Sequence, residues 1–111
     1  MSILKRRPRS VDGDLRVLEE LKKRGMDLGQ PRAVEHFLYF PSGESAHAAA
    51  WRLPSQGYSV RVEDRRDFNK WALLANIESD VTAETITSQR SFLTTVAAEH
   101  GGEYDGWATP L

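Results

Sequence analysis

Residues 33–40, Ala33-Val34-Glu35-His36-Phe37-Leu38-Tyr39-Phe40, run directly into Pro41-Ser42-Gly43. Eight residues dense in β-branched and aromatic side chains, closed by turn formers, predict a strand. Successive side chains of a strand point to opposite faces. Val34, His36, Leu38 and Phe40 therefore share one face, mostly apolar and expected against a core. Ala33, Glu35, Phe37 and Tyr39 share the other.

Upstream of this strand, residues 12–24 carry Leu15, Leu18 and Leu21 at helical spacing, with Asp12 or Asp14 available as a cap and Lys22, Lys23 and Arg24 in the last turn. Gly25 stops that helix. Downstream, Ser42 or Ser45 can cap a second helix with Ala46, Ala49, Ala50 and Leu53 on its apolar side. Pro54 removes a backbone donor near the end of this helix and predicts a short or distorted last turn before Gly57. Residues 58–63, YSVRVE, alternate apolar and polar as a half-buried strand does. The charged loop Asp64 to Asp67 joins them to a further strand at 71–79, making a hairpin. Asp80 or Thr82 starts a third helix that presents Ile86, Leu93, Val96 and Ala97, and Gly101-Gly102 ends it. Residues 103–108, EYDGWA, read as a short last strand.

After the first helix the order is strand, helix, strand, strand, helix, strand. This is the split βαβ pattern of ferredoxin-like α+β folds. It predicts an antiparallel four-stranded sheet in spatial order 4-1-3-2 with helices on one face, plus the N-terminal helix. On the third strand Trp71, Leu73, Ala75 and Ile77 form the more apolar side, leaving Ala72, Leu74 and Asn76 opposite. Phe37 and Tyr39 should then neighbour Leu74 on the open face of the sheet, with Trp107 completing the patch from the last strand. Clustered apolar side chains on an open face mark an interface. The alternative is a face covered by the first helix or by a second copy of the chain.

The 111 residues suffice for one core and leave little room for a second. The expected division is a flexible basic arm at 1–11 and one domain at 12–111. With 40% hydrophobic and 28% charged residues the chain falls in the ordinary globular class. It has no cysteine, so disulfides and thiolate metal sites are excluded. No apolar run approaches the ~20 residues of a membrane span, and the basic start lacks the apolar segment of a secretory signal, so a cytoplasmic location is expected. The net charge of −1 is unevenly distributed: Lys5, Arg6, Arg7 and Arg9 are four of the 15 basic residues, and residues 11–111 hold the other 11 against all 16 acids. An acidic domain argues against a nucleic-acid surface, since phosphate binding needs clustered Lys and Arg. The arm alone has the charge to touch RNA or an acidic partner; a solvated chain end is the plainer reading.

Catalytic signals are absent. His36, His47 and His100 show no metal-ligand spacing, and neither a glycine-rich phosphate loop nor a G-x-S-x-G elbow occurs. No catalytic residue, metal or cofactor is expected. Glu35 and His36 are neighbours on a strand, so they face opposite ways and cannot act as a pair. His36 reads as a buried, hydrogen-bonded structural histidine, with a pH-sensitive switch as its functional alternative. The most distinctive stretch is His100 to Trp107, HGGEYDGW: two glycines release a helix, Asp105-Gly106 suits a turn or bulge, and Tyr104 and Trp107 each have an apolar body and a polar tip.

VEHFLYF, the later Gly57-Tyr58-Ser59-Val60, the long last helix and above all EYDGW resemble the family of regulators of ribonuclease E activity, type B (RraB-like proteins). The resemblance covers roughly residues 14–108, in the same order, with EYDGW its most specific part. It implies a ferredoxin-like domain that binds the endonuclease, or another component of its degradosome, and inhibits it without cleaving RNA. Glu35, His36, Gly57, Tyr58, Tyr104, Asp105, Gly106 and Trp107 match its motifs. Glu35, Phe37, Tyr39, Leu74, Tyr104, Asp105 and Trp107 are thus the candidates for partner contact, and His36, Gly57, Tyr58 and Gly106 are read as structural. Monomer and homodimer both stay open. Two departures stand out: the strongly acidic C-terminal tail of the family's best-known type is not expected here, where Pro110-Leu111 end the sequence and the N-terminus is basic instead, and Pro54 interrupts the helix leading to Gly57. If such a tail captures a basic region of the nuclease, the first implies that this contact is lost and that the partner differs. The rival reading is a homo-oligomeric or small-ligand-binding domain of the same fold with an unrelated partner.

Overall fold

A computed structural model describes residue 8 and residues 10–110. The basic arm expected at 1–11 therefore lies outside the described residues except at Pro8, Ser10 and Val11. The elements follow the expected order: α1 (Val11–Lys23), β1 (Arg32–Phe40), α2 (Gly43–Trp51), β2 (Ser59–Arg65), β3 (Lys70–Ser79), α3 (Ala83–Glu99) and β4 (Glu103–Ala108). The sheet runs β2-β3-β1-β4 with every pairing antiparallel. This is the 4-1-3-2 order of the split βαβ arrangement.

Local chemistry explains the boundaries. Ser42 and Thr82 cap α2 and α3, their hydroxyls accepting from the amides of Ser45 and Thr85. Helix α1 departs from expectation, because Ser10 and neither aspartate is its cap, with Oγ accepting from the Gly13 amide at 3.0 Å. Asp14 is thereby free to turn inward. Pro54 does shorten the second helix: α2 ends at Trp51, a single 3-10 turn spans Pro54–Gln56, and Gly57 reverses the chain at φ 93°. At the far end Gly102 has no room for a side chain, since a Cβ there would stand 2.4 Å from the Tyr39 carbonyl oxygen.

Helix-side residues of the sheet build two cores. One joins Leu38, Phe40, Leu73 and Ala75 to Ala46, Ala49, Ala50 and Leu53 around α2 and to Leu93, Val96 and Ala97 of α3. The other joins Val34 and Trp107 to Leu18 and Leu21 of α1 and to Val81 and Ile86. Burying each such Leu or Ile removes apolar surface worth about 1.5–3 kcal/mol. Leu15, expected in this stripe, is instead 43% exposed, and Asp14 takes the inward position at 1%. Asp14, Leu18 and Leu21 lie at spacings of four and three, so they share one helix face.

Candidate functional site

The two faces of β1 differ completely. Val34, His36, Leu38 and Phe40 are buried beneath the helices. On the opposite face Glu35, Phe37 and Tyr39 are half-buried, and β1 pairs Phe37 with Leu74 and Tyr39 with Ala72 of β3. Leu74 is buried at 6% exposure, yet neither it, Phe37 nor Tyr39 belongs to either core. Among the described residues no helix covers this face. From β4, Glu103 stands beside Tyr39, and strand alternation puts Asp105 on the same side. The rim toward β2 carries the Arg61–Glu63 pair at 2.8 Å, and the Lys70 ammonium lies 5.5 Å from the centre of the Tyr39 ring. The candidate surface is thus an apolar strip, Phe37, Tyr39 and Leu74, bordered by carboxylates along β4.

Two of the expected contact residues are elsewhere. Tyr104 and Trp107 are three apart, a spacing that would put them on opposite faces of a regular strand. The register instead shifts between His36 and Leu38, which pair with Trp107 and Tyr104 respectively, and Gly106 adopts φ 97° there. This one-residue bulge returns Trp107 to the helix side. Trp107 is fully buried, its Nε1 donating to Asp14 Oδ1 at 2.8 Å, so it does not complete the open patch. Tyr104 likewise points beneath the helices, toward His36.

Behind the sheet these residues form a connected polar network. Arg90 of α3 donates to both carboxylate oxygens of Asp14, at 2.5 and 2.7 Å, and also to the Pro8 carbonyl at 2.9 Å. Its guanidinium lies 4.9 Å from the centre of the Tyr104 ring. A forked Arg–carboxylate pair of this kind fixes orientation as well as charge, and here it holds α1 to α3. His36 has a partner at each nitrogen: Nδ1 lies 2.7 Å from the Tyr104 hydroxyl and Nε2 2.9 Å from Gln89 Oε1. The Gln89 oxygen can only accept, so Nε2 carries the proton and Tyr104 donates to Nδ1. Gln89 Nε2 then donates to Ser79 Oγ at 2.9 Å, and that hydroxyl donates to the Asp80 carbonyl at 2.8 Å.

Burial lowers the His36 pKa to about 4, and the hydrogen bond to Gln89 offsets this only in part. Burial also pushes the Tyr104 phenol above its ordinary range, keeping the proton that His36 accepts in place. The imidazole is fully buried, and both of its nitrogens are engaged within the fold. Gly57 supports the turn into β2, and the Tyr58 ring packs edge-on against His36 at 6.1 Å and along Phe92 at 6.2 Å. Among the described residues no group of three or more His, Asp or Glu side chains is placed to hold a metal ion, and no helix is long and apolar enough to cross a membrane.

Sequence reasoning missed Asp14, Arg90 and Gln89. Asp14 carried a readable signal, an acid in register with an apolar stripe. Gln89 carried the same one, falling between Ile86 and Leu93 on the buried side of α3. Trp51, at 87% exposure, and Phe68, at 64%, are large apolar side chains that had been given no role; they lie at the end of α2 and in the β2–β3 loop.

Comparison with known proteins gives a consistent result. The family described as regulator of ribonuclease activity B matches residues 12–109. A curated relative from Actinobacillus succinogenes (strain ATCC 55618 / DSM 22257 / CCUG 43843 / 130Z), named "Regulator of ribonuclease activity B", is 29% identical over 107 residues, covering 92% of this chain and 75% of the relative.

Proposed function

The chain belongs to the RraB family of regulators of ribonuclease activity, and from that premise we propose that it binds an endonuclease of the ribonuclease E type, or the RNA-degradation complex around it, in the cytoplasm. It lowers RNA turnover there as a protein ligand and cleaves no RNA itself. The observation that carries the mode of action is the open sheet face, where Phe37, Tyr39 and Leu74 form an apolar strip that no described helix covers. Apolar side chains gathered on a flat, rigid sheet with a polar rim are what a protein partner desolvates. The interior histidine supports the same reading, because its two hydrogen bonds are spent inside the fold, one on Tyr104 of β4 and one on Gln89 of α3.

The experiment combines purified protein with a ribonuclease E homologue and a model RNA. The expected result is a complex detectable at ~10 μM, a concentration that reports even micromolar affinity, together with slower cleavage and no RNA loss in the protein alone. Absence of both binding and inhibition at that concentration would defeat the proposal.

A further inference from the structure

The two outer strands of the sheet are built differently. β4 is six residues long and bulged, whereas β2 runs for seven residues, Ser59–Arg65, in unbroken register with β3. Among the described residues β2 pairs only with β3, so one row of its backbone donors and acceptors faces outward. Edges are normally protected by a bulge, a proline or lysines, and residues 59–65 contain none of these. They carry Arg61, Glu63, Asp64 and Arg65 instead, charges of both signs.

The spacing of those charges selects a second copy of the same strand. Laid antiparallel, the copy keeps both sets of helices on one side of the joined sheet only when odd-numbered residues face odd ones and even face even. A two-fold axis at Arg61 or at Glu63 sets that charge against its own copy, and an axis at Val60 or Asp64 leaves most of the strand unpaired. With the axis at Val62, all seven residues pair: Arg61 faces Glu63 of the copy, Glu63 faces its Arg61, and Val62 faces Val62. Opposite charges directly across a pair of strands stabilise it, and like charges there destabilise it. The Arg61–Glu63 contact within one chain, 2.8 Å between exposed side chains, is of a kind that contributes little and so does not hold them back from a partner.

An independent observation lies above the same edge. α2 packs on β2 and β3, α3 packs on β1 and β4, and Arg52 reaches Glu99, which fixes the flank of α2 that faces α3. His47 stands about 140° round the helix from Arg52, and Trp51 follows His47 by one turn. That flank overhangs β2. Trp51 is 87% exposed, and Phe68, in the turn that β2 enters, is 64% exposed. Large apolar side chains left in water beside an unpaired edge mark an interface, and joining two β2 edges brings the second copy's α2 up to this flank.

We propose that two copies of this chain join through β2 into one continuous antiparallel sheet, in the register centred on Val62, with Trp51 covered by the second copy. The proposal rests on β2 and α2 alone and is independent of the nuclease reading above.

Sedimentation equilibrium of the full chain between ~10 μM and ~1 mM, which spans weak to moderate affinities, is expected to show a monomer–dimer equilibrium. Arg61→Glu alone, and Glu63→Arg alone, make the facing charges alike, and each is expected to weaken dimerisation at least about tenfold with the thermal midpoint kept. An equimolar mixture of the two variants sets every arginine against a glutamate again, and it is expected to associate within about threefold of the unaltered affinity. Trp51→Ala weakens the dimer with the charges untouched. A chain that stays monomeric over the whole range overturns the proposal. So do single variants that dimerise as tightly as the unaltered chain, and so does a mixture that remains monomeric. Should a variant fail to fold, the register is read on the unaltered chain, by NMR on a mixture of labelled and unlabelled copies: contacts between Val62 of one copy and Val62 of the other are expected, and contacts elsewhere overturn it. No nuclease enters these experiments, so their failure leaves the regulatory function standing, and failure of nuclease binding leaves this dimer standing.

Discussion

Even-numbered residues of β1, from Val34 to Phe40, are at most 1% exposed, whereas their odd-numbered neighbours Glu35, Phe37 and Tyr39 are half-buried on a face that no described helix covers. One strand therefore serves two purposes. Its helix side carries the stability of the domain, through two apolar cores and a polar network in which His36, Tyr104, Gln89, Asp14, Arg90 and Trp107 each have assigned partners. Its other side, with Glu35, Phe37 and Tyr39, lies outside that network. The difference teaches that motif residues adjacent in sequence, such as Glu35 and His36, lie on separate faces and should respond separately to substitution.

The sharpest separation is expected at Asp14. Asp14→Ala leaves the Arg90 guanidinium buried without its carboxylate and the Trp107 indole without its acceptor. Breaking a buried pair from one side costs about 3–5 kcal/mol, so urea denaturation should show a loss of that size. A loss below about 1 kcal/mol would mean that the forked pair does not hold α1 in place.

Acid should reach the same side through His36. The unfolded imidazole takes up its proton near 6.5 and the folded one only near 4. Between these values the unfolded state binds more protons, so stability falls as pH falls. Integrated over the window the loss is about 3 kcal/mol. Ring titration by NMR should give a midpoint near 4; a midpoint near 6.5 would show that the ring is accessible and that the two faces are less distinct than described.

Gln89→Ala is the milder perturbation of the same network. It strips the acceptor from His36 Nε2 and the donor from Ser79, and a buried group left unsatisfied costs about 1–3 kcal/mol. Thermal unfolding should register this, with nuclease binding by the folded variant unchanged. Weakened binding would show that the interior network reaches the open face.

Much of this comparison was legible in the sequence. The alternation in AVEHFLYF assigns the faces of β1 correctly, and the order of the periodic segments yields the sheet order, because both depend on local patterns. Trp107 was misplaced because its face depends on a bulge at Asp105-Gly106. Such a bulge adds one residue to the strand count, and its side effect on alternation is visible only against a partner strand. Asp14 was misread as a cap for a related reason: the first turn of a helix favours aspartate by charge alone, and only the packing of α1 on α3 distinguishes a surface acid from a buried one. The open face was readable as a pattern but not as a site, since neither its coverage nor its carboxylate border is a local property of the chain.

The smallest effect on stability should accompany the largest on binding, at Phe37→Ser combined with Tyr39→Ser. Both rings are half-buried and outside the two cores, so the thermal midpoint should move by less than about 5 °C, the shift that roughly 1 kcal/mol produces in a domain of this size. Affinity for the ribonuclease E homologue, measured by calorimetry on the same preparation, should fall at least tenfold, which is about 1.4 kcal/mol. Binding that survives in the folded double variant would contradict the account, and so would a variant that fails to fold, since these rings would then belong to the core.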